Sequence, residues 1–508
     1  MRENLTGLVK IIGIVVLLFV LWGALAWSVP DSFLKAGNLE NLMRRTALFG
    51  ILGIGVAFVI MTGGIDLSIG SLVCLCACLF AMFLQVDYRP FEESPVWEIQ
   101  TEGIVIVDAN REWMPGDTVH YYGGRRAHRL MGTIQDVRKV RFQNRPAYEL
   151  QLDTEFSRVD QVDAEQREVG RIARMRAIVE IDDHDDGFFL SLDDQAPPLA
   201  VRDRLWMLHP QLGRIDDVVT GMHSSDSGRS YQLKNHSPLV QLDWWAIAVR
   251  RVQRMSLPWA VLAVLGIAGG LGLLHALLVT HLNQRPFVVT LCGLLIYRGL
   301  ARQLSGDQTV GGFSNEYADS LGHLQTGKLT LWTWGEGAES FGIPYVFFIL
   351  LLVAIAAAVV LNLTIWGRYI LALGKNQEAA RYAGINTGRM IVVAYLLCAV
   401  LTGLGGILHG VDANSISPSS FGNFFELYAI AAAVLGGCSL RGGEGSILGV
   451  VVGTALMQTL NNSITLLRIP KELEYVIIGG VILVGIVSDE LIRLVAARWR
   501  RGLSLTSR

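Results

Sequence analysis

Long apolar runs without charged side chains recur along this chain, and one polar stretch interrupts them. An apolar helix of about 20 residues crosses the hydrocarbon core of a bilayer. Ten runs predict such helices, some of them shorter than this length: residues 11–27, 47–60, 67–84, 259–282, 287–300, 343–366, 390–409, 424–434, 446–460 and 476–487. The pattern predicts an all-α polytopic membrane protein with about ten transmembrane helices.

The interrupting stretch, residues 86–254, differs from the rest of the chain in charge. It holds 28 of the 45 acidic residues and 22 of the 43 basic residues. Its β-branched runs are separated by turn residues such as Pro115-Gly116, a pattern typical of strands. A helix is expected at residues 161–177. We therefore expect a membrane part at residues 1–85, an inserted soluble, β-rich domain at 86–254, and a second membrane part at 255–508.

Composition supports this division and excludes some classes of protein. Charged residues make up 17% of the chain, whereas soluble globular proteins carry roughly 25%. The net charge of −2 gives no reason to expect a nucleic-acid partner. The composition therefore favours a membrane protein over a cytosolic enzyme.

Basic residues set the expected orientation, because Lys and Arg in short loops stay on the cytoplasmic side. The C-terminal tail, with Arg493 and Arg498, and the loop from Arg368 to Arg389 are expected inside. Counting back through ten spans places the N-terminus in the cytoplasm and the insertion in the extracytoplasmic space. Arg44 and Arg45 oppose this rule, since they fall near the outer face.

The first candidate segment is the sequence Thr62-Gly63-Gly64-Ile65-Asp66-Leu67-Ser68-Ile69-Gly70-Ser71. An ionisable residue inside a membrane span is a functional hypothesis by default. The paired glycines can interrupt a helix, and Asp66 with Ser68 suits the start of the next one. Two uses of Asp66 therefore remain open, helix capping and contact with a permeating solute.

Two further segments lie in loops that are expected on the cytoplasmic side. Residues 374–386 are charged, Ala-rich and followed by a glycine stop, which predicts a short surface helix. A solvated connector is the alternative. Residues 435–446 form a glycine-rich turn, but the chain has no G-x-x-x-x-G-K-[ST] motif for nucleotide binding. ATP hydrolysis by this chain itself is therefore not expected.

Together these segments resemble the permease subunits of sugar-type ATP-binding-cassette importers, which serve ribose, xylose and galactose. The matching positions span about two thirds of the chain. They are residues 62–71, 285–291, 298–300, 367–369 and 374–386, Ala432, Val434 to Gly437, Gly442, Gly443, Gly445, Asn461 and Asn462.

The resemblance implies a transporter subunit of the inner membrane that binds no cofactor itself and carries no catalytic residues. ATP and Mg²⁺ belong to two cytoplasmic ATPase subunits, and an extracytoplasmic solute-binding protein delivers the sugar. A second permease copy completes a homodimer in the lipid membrane. The short cytoplasmic helix is then the ATPase-coupling element, with Glu378, Ala379, Ala380, Arg381 and Gly384 as the expected coupling residues.

A route for a hydroxylated solute needs polar groups within the spans. On this reasoning we expect the translocation pathway near Asp66, Ser68, Thr290, Asn461 and Asn462. The transported solute is expected to be a monosaccharide or a similar small polar molecule. No covalent chemistry is required of these residues, because alternating access driven by the ATPases moves the solute.

The insertion departs from the resembled family, whose members join the third and fourth spans by a short loop. Its position suggests contact with the solute-binding protein or a role at the outer mouth, and a spacer is equally compatible. Asp182, Asp186 and Asp193 approach a calcium-loop spacing. His184 stands where Asp or Asn is preferred, so a solvated acidic turn is the alternative and no firm metal site is expected.

Two other functional classes remain open from the sequence. A membrane-anchored sensor would use the inserted domain as its receptor, but it requires a cytoplasmic output domain. An ion-coupled secondary transporter would work without an ATPase, and it predicts more buried ionisable groups than Asp66 alone. Copurification with an ATPase separates these classes from the importer subunit.

Overall fold

Helices form the apolar parts of the chain and strands form the polar stretch in the computed structural model. The structure describes residues 2–487 apart from residues 101–102, 123–129, 154–159, 162–169, 185–186, 194, 210–211, 226–227, 236–239, 314–316, 334–339, 471–472, 475, 481–482 and 484–486. The C-terminal arginines used for the predicted orientation lie outside these residues. The chain divides into two compact units, residues 1–85 with 255–508, and residues 86–254.

The first unit is built from helices, and each of the first nine predicted spans overlaps at least one of them. They are α1 (Arg2–Ser28), α2 (Pro30–Phe33), α3 (Ala36–Met61), α4 (Ile69–Phe83), α5 (Leu257–Thr280), α6 (Pro286–Leu304), α7 (Ala318–Gln325), α8 (Tyr345–Leu363), α9 (Ile365–Lys375), α10 (Gln377–Tyr382), α11 (Thr387–Ala413), α12 (Phe425–Leu435) and α13 (Ile447–Leu466). Proline occupies the first turn of α2, α5 and α6, where its missing N–H costs no helical hydrogen bond.

The described residues do not establish the expected ten membrane crossings. Six helices, α3, α5, α6, α8, α11 and α13, are long and apolar enough to cross a membrane. Three apolar helices are shorter in their described parts, namely Ile12–Ser28, Ile69–Phe83 and Phe425–Leu435. Much of the tenth predicted span lies outside the described residues, although residues 476–480 are helical. The structure confirms a polytopic membrane protein, and it does not establish ten spans.

Helix α3 forms the centre of this unit. Every residue from Thr46 to Met61 except Phe49 is buried. A helix that is apolar all round and buried all round must be enclosed by other helices. By contrast, α5, α6 and α8 expose many large apolar side chains, among them Leu262, Leu295 and Leu352. Such surfaces are suited to lipid or to another membrane chain.

Small strand pairs correct the prediction that the membrane unit is all-α. Strands β15 (Val310–Gly311) and β18 (Ser415–Ile416) pair, as do β16 (Lys328–Thr333) and β17 (Ser340–Pro344). These pairs lie between helices, where the sequence pattern is too short to distinguish a strand from a loop. Arg44, which opposes the expected orientation, forms an ion pair with Asp412 at 3.6 Å, so its charge is partly compensated.

The inserted domain is β-rich, as the sequence predicts, and all of its strand pairs are antiparallel. Its strands are β1 (Val86–Pro90), β2 (Glu93–Ile99), β3 (Ile104–Asp108), β4 (Thr118–Tyr122), β5 (Leu130–Phe142), β6 (Arg145–Leu152), β7 (Asp160–Gln161), β8 (Gly170–Arg174), β9 (Arg176–His184), β10 (Gly187–Leu192), β11 (Arg204–His209), β12 (Gly213–Ser225), β13 (Gly228–Leu233) and β14 (Trp245–Gln253).

These strands close into two successive rings of six. The first ring runs β3-β6-β5-β4-β8-β2 and closes through β2 and β3. The second runs β14-β11-β12-β13-β10-β9 and closes through β9 and β14. Closure pairs the backbone N–H and C=O groups that the edge strands of an open sheet would leave unpaired. Each ring encloses its own apolar core, around Val107 and Leu150 in the first and around Leu205 and Tyr231 in the second.

A partly buried ion network lies where the first ring passes into the second. Arg174 ends β8 and contacts Glu92 at 3.0 Å and Asp117 at 2.7 Å. Arg176 begins β9 and contacts the same Glu92 carboxylate at 2.7 Å. The Glu92 carboxylate therefore forms ion pairs with two guanidinium groups, one from each ring. The two arginines flank the buried Met175 in the sequence.

One prediction for the insertion is corrected here, and the acidic run can be placed in part. The described residues of the expected helix at 161–177 are strands, because β8 and β9 occupy residues 170–174 and 176–184. The acidic run lies at the turn of the β9–β10 hairpin, with Asp182 paired to Phe189. Asp193 accepts a hydrogen bond from the Gln195 amide and neighbours Arg176. Asp182 thus lies in a hairpin strand and Asp193 follows the hairpin, while Asp186 lies outside the described residues.

Candidate functional site

Three segments that the sequence singles out meet at one end of the membrane unit. The Gly443 amide donates a hydrogen bond to the Met61 carbonyl, with an N–O distance of 2.9 Å. A Cβ built on Gly442 would lie 2.9 Å from both the Gly374 carbonyl oxygen and the Gly63 nitrogen. We call this contact of Met61, Gly63, Gly374, Gly442 and Gly443 the glycine junction. The absence of side chains at Gly374, Gly442 and Gly443 allows the three backbones to approach this closely.

The chain from Thr62 to Ser68 is not helical, so the predicted break at the paired glycines is present. Gly63 has φ +82°, a left-handed conformation that favours glycine. Asp66 is 4% exposed, and its Oδ1 accepts hydrogen bonds from the Ser68 amide at 2.8 Å and the Ser68 hydroxyl at 2.7 Å. Asp66 thus stabilises the turn before α4, while Ser68 itself occupies the N-cap position.

Helices α5, α6 and α11 enclose this turn with polar side chains. The Thr290 hydroxyl donates to the Ile65 carbonyl at 3.2 Å. His275 Nε2 and the Tyr297 hydroxyl are 2.8 Å apart, and a Cβ on Gly293 would lie 2.6 Å from that nitrogen and 3.2 Å from Ser68 Cβ. The Tyr395 hydroxyl is buried without a hydrogen-bond partner among the described residues. We call the set the Asp66 cluster: Asp66, Ser68, His275, Thr290, Tyr297 and Tyr395.

Sequence reasoning found half of this cluster. Asp66, Ser68 and Thr290 are expected pathway residues, and the fold brings them together. His275, Tyr297 and Tyr395 were missed, although a histidine inside a strongly apolar run is a visible signal. His275 is 4% exposed and His409 is 7% exposed. Buried ionisable groups are therefore more numerous than Asp66 alone, so their scarcity is no argument against an ion-coupled transporter.

The two other expected pathway residues lie elsewhere. The Asn462 amide donates to Asn38 Oδ1 at 3.0 Å, and Asn38 is in the first turn of α3. Met61 ends the same helix, about 35 Å away at 1.5 Å per residue. The neighbouring Asn461 has a buried Oδ1 without a partner among the described residues. The fold thus separates Asn461 and Asn462 from the Asp66 cluster.

The expected coupling segment forms the short exposed helix α10. Asn376 caps it, because the Asn376 side chain accepts a hydrogen bond from the Ala379 amide at 2.9 Å. Of the expected coupling residues, Glu378, Ala379, Arg381 and Gly384 are exposed and Ala380 is buried. Tyr382 is 92% exposed, and the sequence reasoning missed it. An exposed aromatic ring among charged side chains is typical of a surface that binds another protein.

This exposed helix is joined directly to the glycine junction. Gly374 lies at the end of α9, and only Lys375 and Asn376 separate it from α10. On the other side of the junction, four residues separate Met61 from Asp66. Short backbone contacts therefore connect α10 to the Asp66 turn.

Comparison with known proteins identifies the family. The model of a family described as "Branched-chain amino acid transport system / permease component" matches residues 38–91 and 239–486. This match covers more than half of the chain and omits most of the inserted domain. The chain belongs to this permease family. No solved structure matches this permease.

Individual relatives agree with the family. The permease is 33% identical to the ribose import permease protein of Escherichia coli strain K12 over 230 residues, which are 45% of this chain and 68% of the relative. It is 28% identical to the galactose/methyl galactoside import permease protein of Haemophilus influenzae over 242 residues, 47% of this chain and 68% of the relative. It is 31% identical to the D-allose transport system permease protein of E. coli strain K12 over 226 residues, 44% and 64% respectively.

These findings confirm the resemblance to sugar-type importer permeases. The chain is a multi-pass transmembrane permease subunit and not an enzyme, since ATP hydrolysis in such importers resides in separate ATPase subunits.

Proposed function

We propose that this permease imports a monosaccharide, and that separate ATPase subunits drive it through the exposed helix α10. The observation that carries the mechanism is the glycine junction, which connects α10 to the buried Asp66 turn through backbone contacts. The substrate class rests on the relatives, which are named for ribose, galactose and D-allose. The family description names branched-chain amino acids instead, so an apolar amino acid is the competing substrate.

The proposed coupling residues are Glu378, Ala379, Ala380, Arg381 and Gly384. Glu378 and Arg381 offer one negative and one positive charge to an ATPase groove, and both are exposed. Ala380 is buried and packs the helix against its own unit, while Gly384 ends the element with φ +82°. Tyr382 joins this set as an exposed anchor.

The proposed pathway begins at the Asp66 cluster, where Asp66, Ser68 and Thr290 provide buried polar groups. Asn461 and Asn462 lie toward the opposite end of α3, and we propose them as further polar groups along the route. Transport requires a weakly binding route, because a tight site would retain the sugar. Hydroxyl and amide groups meet this requirement, since each makes a modest net hydrogen bond in competition with water.

For orientation, we propose that both termini are cytoplasmic and that the insertion is extracytoplasmic. Helix α4 leaves the Asp66 turn, and α5 ends at Thr280, close to Gly388 at the start of α11 and near α10. The points where the chain leaves and re-enters the membrane unit, after Phe83 and before Leu257, are therefore at the helix ends remote from α10. If α10 meets an ATPase, these points face outward.

The proposed partners follow from this arrangement. Two ATPase subunits bind ATP and Mg²⁺ on the cytoplasmic side, a second copy of the permease forms a homodimer in the lipid, and an extracytoplasmic solute-binding protein supplies the sugar. The insertion is proposed to contact that binding protein or to shape the outer mouth of the route. This chain itself is proposed to bind no cofactor.

The test of coupling is copurification of the ATPase with an E378A/R381A double variant. Removing both charges should reduce recovery of the ATPase while membrane insertion remains normal. A D31A/K35A variant is the matched control, because it removes one exposed charge of each sign before α3, remote from α10. Undiminished ATPase recovery with E378A/R381A would reject the coupling assignment.

The test of substrate uses proteoliposomes that contain the permease, its ATPase and its binding protein. ATP-dependent uptake of radiolabelled D-ribose, D-galactose and D-allose is compared with uptake of L-leucine. We expect accumulation of at least one sugar and none of leucine. Accumulation of leucine alone would reject the sugar and favour the amino-acid reading of the family.

A further inference from the structure

A second interrupted crossing lies beside α4, in residues 415–424. This stretch, called the 415–424 segment, follows α4 in the antiparallel direction. A Cβ on Gly410 would lie 3.2 Å from Ala77 Cβ and 3.4 Å from Ile416 Cδ1, and the Cys74 thiol lies 3.5 Å from the Pro418 carbonyl oxygen. After Ile416 the segment is a series of turns up to Phe424.

The two interrupted crossings touch where α4 begins. A Cβ on Gly70 would overlap the Gly422 carbonyl oxygen and the Glu426 carboxylate. Gly422 has φ +75°, so glycine is required there both by conformation and by space. The irregular backbone of residues 62–68 and that of the 415–424 segment therefore flank the same point.

With the glycine junction at the cytoplasmic surface, as the proposed orientation of α10 requires, helix lengths place this point well inside the bilayer. Helix α12 has 11 residues and extends for about 16 Å. It ends at the turn that carries Gly442 and Gly443 of the glycine junction. The hydrocarbon core is about 30 Å thick, so Phe424, at the opposite end of α12, lies near its middle. The position of Arg298 gives a similar depth. It lies 12 residues after Pro286, which begins α6, and therefore about 18 Å along that helix.

Arg298 fixes the segment at this depth. Its guanidinium donates hydrogen bonds to the Pro418 carbonyl at 3.1 Å and the Phe421 carbonyl at 2.6 Å. Irregular backbone in the hydrocarbon region is tolerated only where it is buried in protein or lines a water-filled cavity. An arginine inside a span is costly, and here it satisfies two carbonyl groups that helical hydrogen bonds do not.

The opposite side of the segment presents polar side chains. Ser419, Ser420 and Asn423 are exposed, and Phe424 is 44% exposed with φ +65°. A non-glycine residue in the left-handed region is strained, and strain of this kind concentrates at functional sites. Exposed hydroxyl and amide groups at mid-bilayer depth cannot face lipid, since lipid offers them no hydrogen bonds.

We propose that the 415–424 segment lines the aqueous route of this permease at the middle of the membrane and forms a subsite for a polyhydroxylated solute. Ser420 and Asn423 supply hydrogen bonds to hydroxyl groups, and the Phe424 ring offers an apolar surface to the C–H face of a sugar. The subsite deepens the proposed function and rests on it for the identity of the solute. Discontinuous helices that meet near the midplane are a recurrent setting for transport sites.

Water accessibility tests the proposal without relying on transport. Cys292 is the exposed cysteine in the described chain, and the other five cysteines are buried. In a C292A background, S420C and N423C are treated with a charged, membrane-impermeant methanethiosulfonate in the reconstituted complex. L352C on α8 is the matched control, because Leu352 is 69% exposed on an apolar helix face.

We expect S420C and N423C to react about 100-fold faster than L352C, because the charged reagent is excluded from lipid. If both variants react as slowly as L352C, the proposal is wrong. Spontaneous disulfide formation between two N423C copies, together with no reagent access at S420C, would also overturn it and assign the surface to the homodimer contact. Fast labelling combined with no sugar uptake by the C292A parent would leave the aqueous route in place and reject the sugar.

Discussion

Replacing Gly374 with alanine should weaken the transmission of movement from α10 to the Asp66 turn. A Cβ at this position would overlap the Met61 carbonyl oxygen and the Gly443 amide nitrogen, and it would lie 3.0 Å from the Gly442 carbonyl carbon. All three are backbone atoms, so no side-chain rotation can relieve the overlap. Helix α9 must shift away from the junction, and the Gly443–Met61 hydrogen bond must lengthen.

The size of the effect follows from two contributions. Forcing an extra methyl group into a packed site costs about 1–3 kcal/mol. Leaving a buried backbone donor or acceptor without its partner costs about 1–3 kcal/mol. The glycine junction should therefore be destabilised by about 2–6 kcal/mol, which is large beside a typical total stability of about 5–15 kcal/mol.

The assay measures ATP hydrolysis and sugar uptake together in proteoliposomes. Because α10 and its exposed side chains are unchanged, G374A should still bind the ATPase, but fewer sugar molecules should enter per ATP hydrolysed. G388A is the matched control, since a Cβ on Gly388 would meet no atom closer than 3.7 Å. Wild-type uptake per ATP in G374A would refute a role of the junction in coupling.

Three further predictions concern individual charges. D66A removes the acceptor of two hydrogen bonds in the turn before α4 and should lower sugar uptake with ATPase recovery unchanged, as measured by copurification. Burial raises the pKa of Asp217 above 3.8, so the folded insertion binds more protons than the unfolded one just above that pH. Its stability should fall as pH rises through this window, and hydrogen exchange in β12 should show a flatter pH dependence in D217N. E92Q removes the charge that Arg174 and Arg176 share and should destabilise the insertion by about 1–3 kcal/mol. Exchange in β8 and β9 should become faster, and unchanged exchange would contradict this.

The division of the chain was predictable because it depends on solvent preference alone. Apolar runs without charge locate the helices, although α3 begins 11 residues before its predicted span, and the charged stretch from 86 to 254 folds as a separate unit. The exposed helix at 377–382 was also predictable, because Asn376, Glu378 and Ala379 carry ordinary capping and helix-forming signals.

Features that depend on long-range contact were not predictable from local patterns. The glycine junction joins residues 61–63, 374 and 442–443, and no spacing rule relates positions so far apart. Closure of the two strand rings likewise depends on the pairs β2–β3 and β9–β14. The predicted spans leave most of the 415–424 segment unassigned, since its depth follows only from what Arg298 and Gly70 contact.

The central claim is that this chain provides a gated route whose energy comes from another polypeptide. The direct measurement is accumulation of radiolabelled D-ribose, D-galactose or D-allose against a gradient, by the permease alone and by the complex with ATPase and binding protein. The account predicts accumulation only with the complete complex and ATP. Uphill uptake by the permease alone, driven by a proton or sodium gradient, would contradict it.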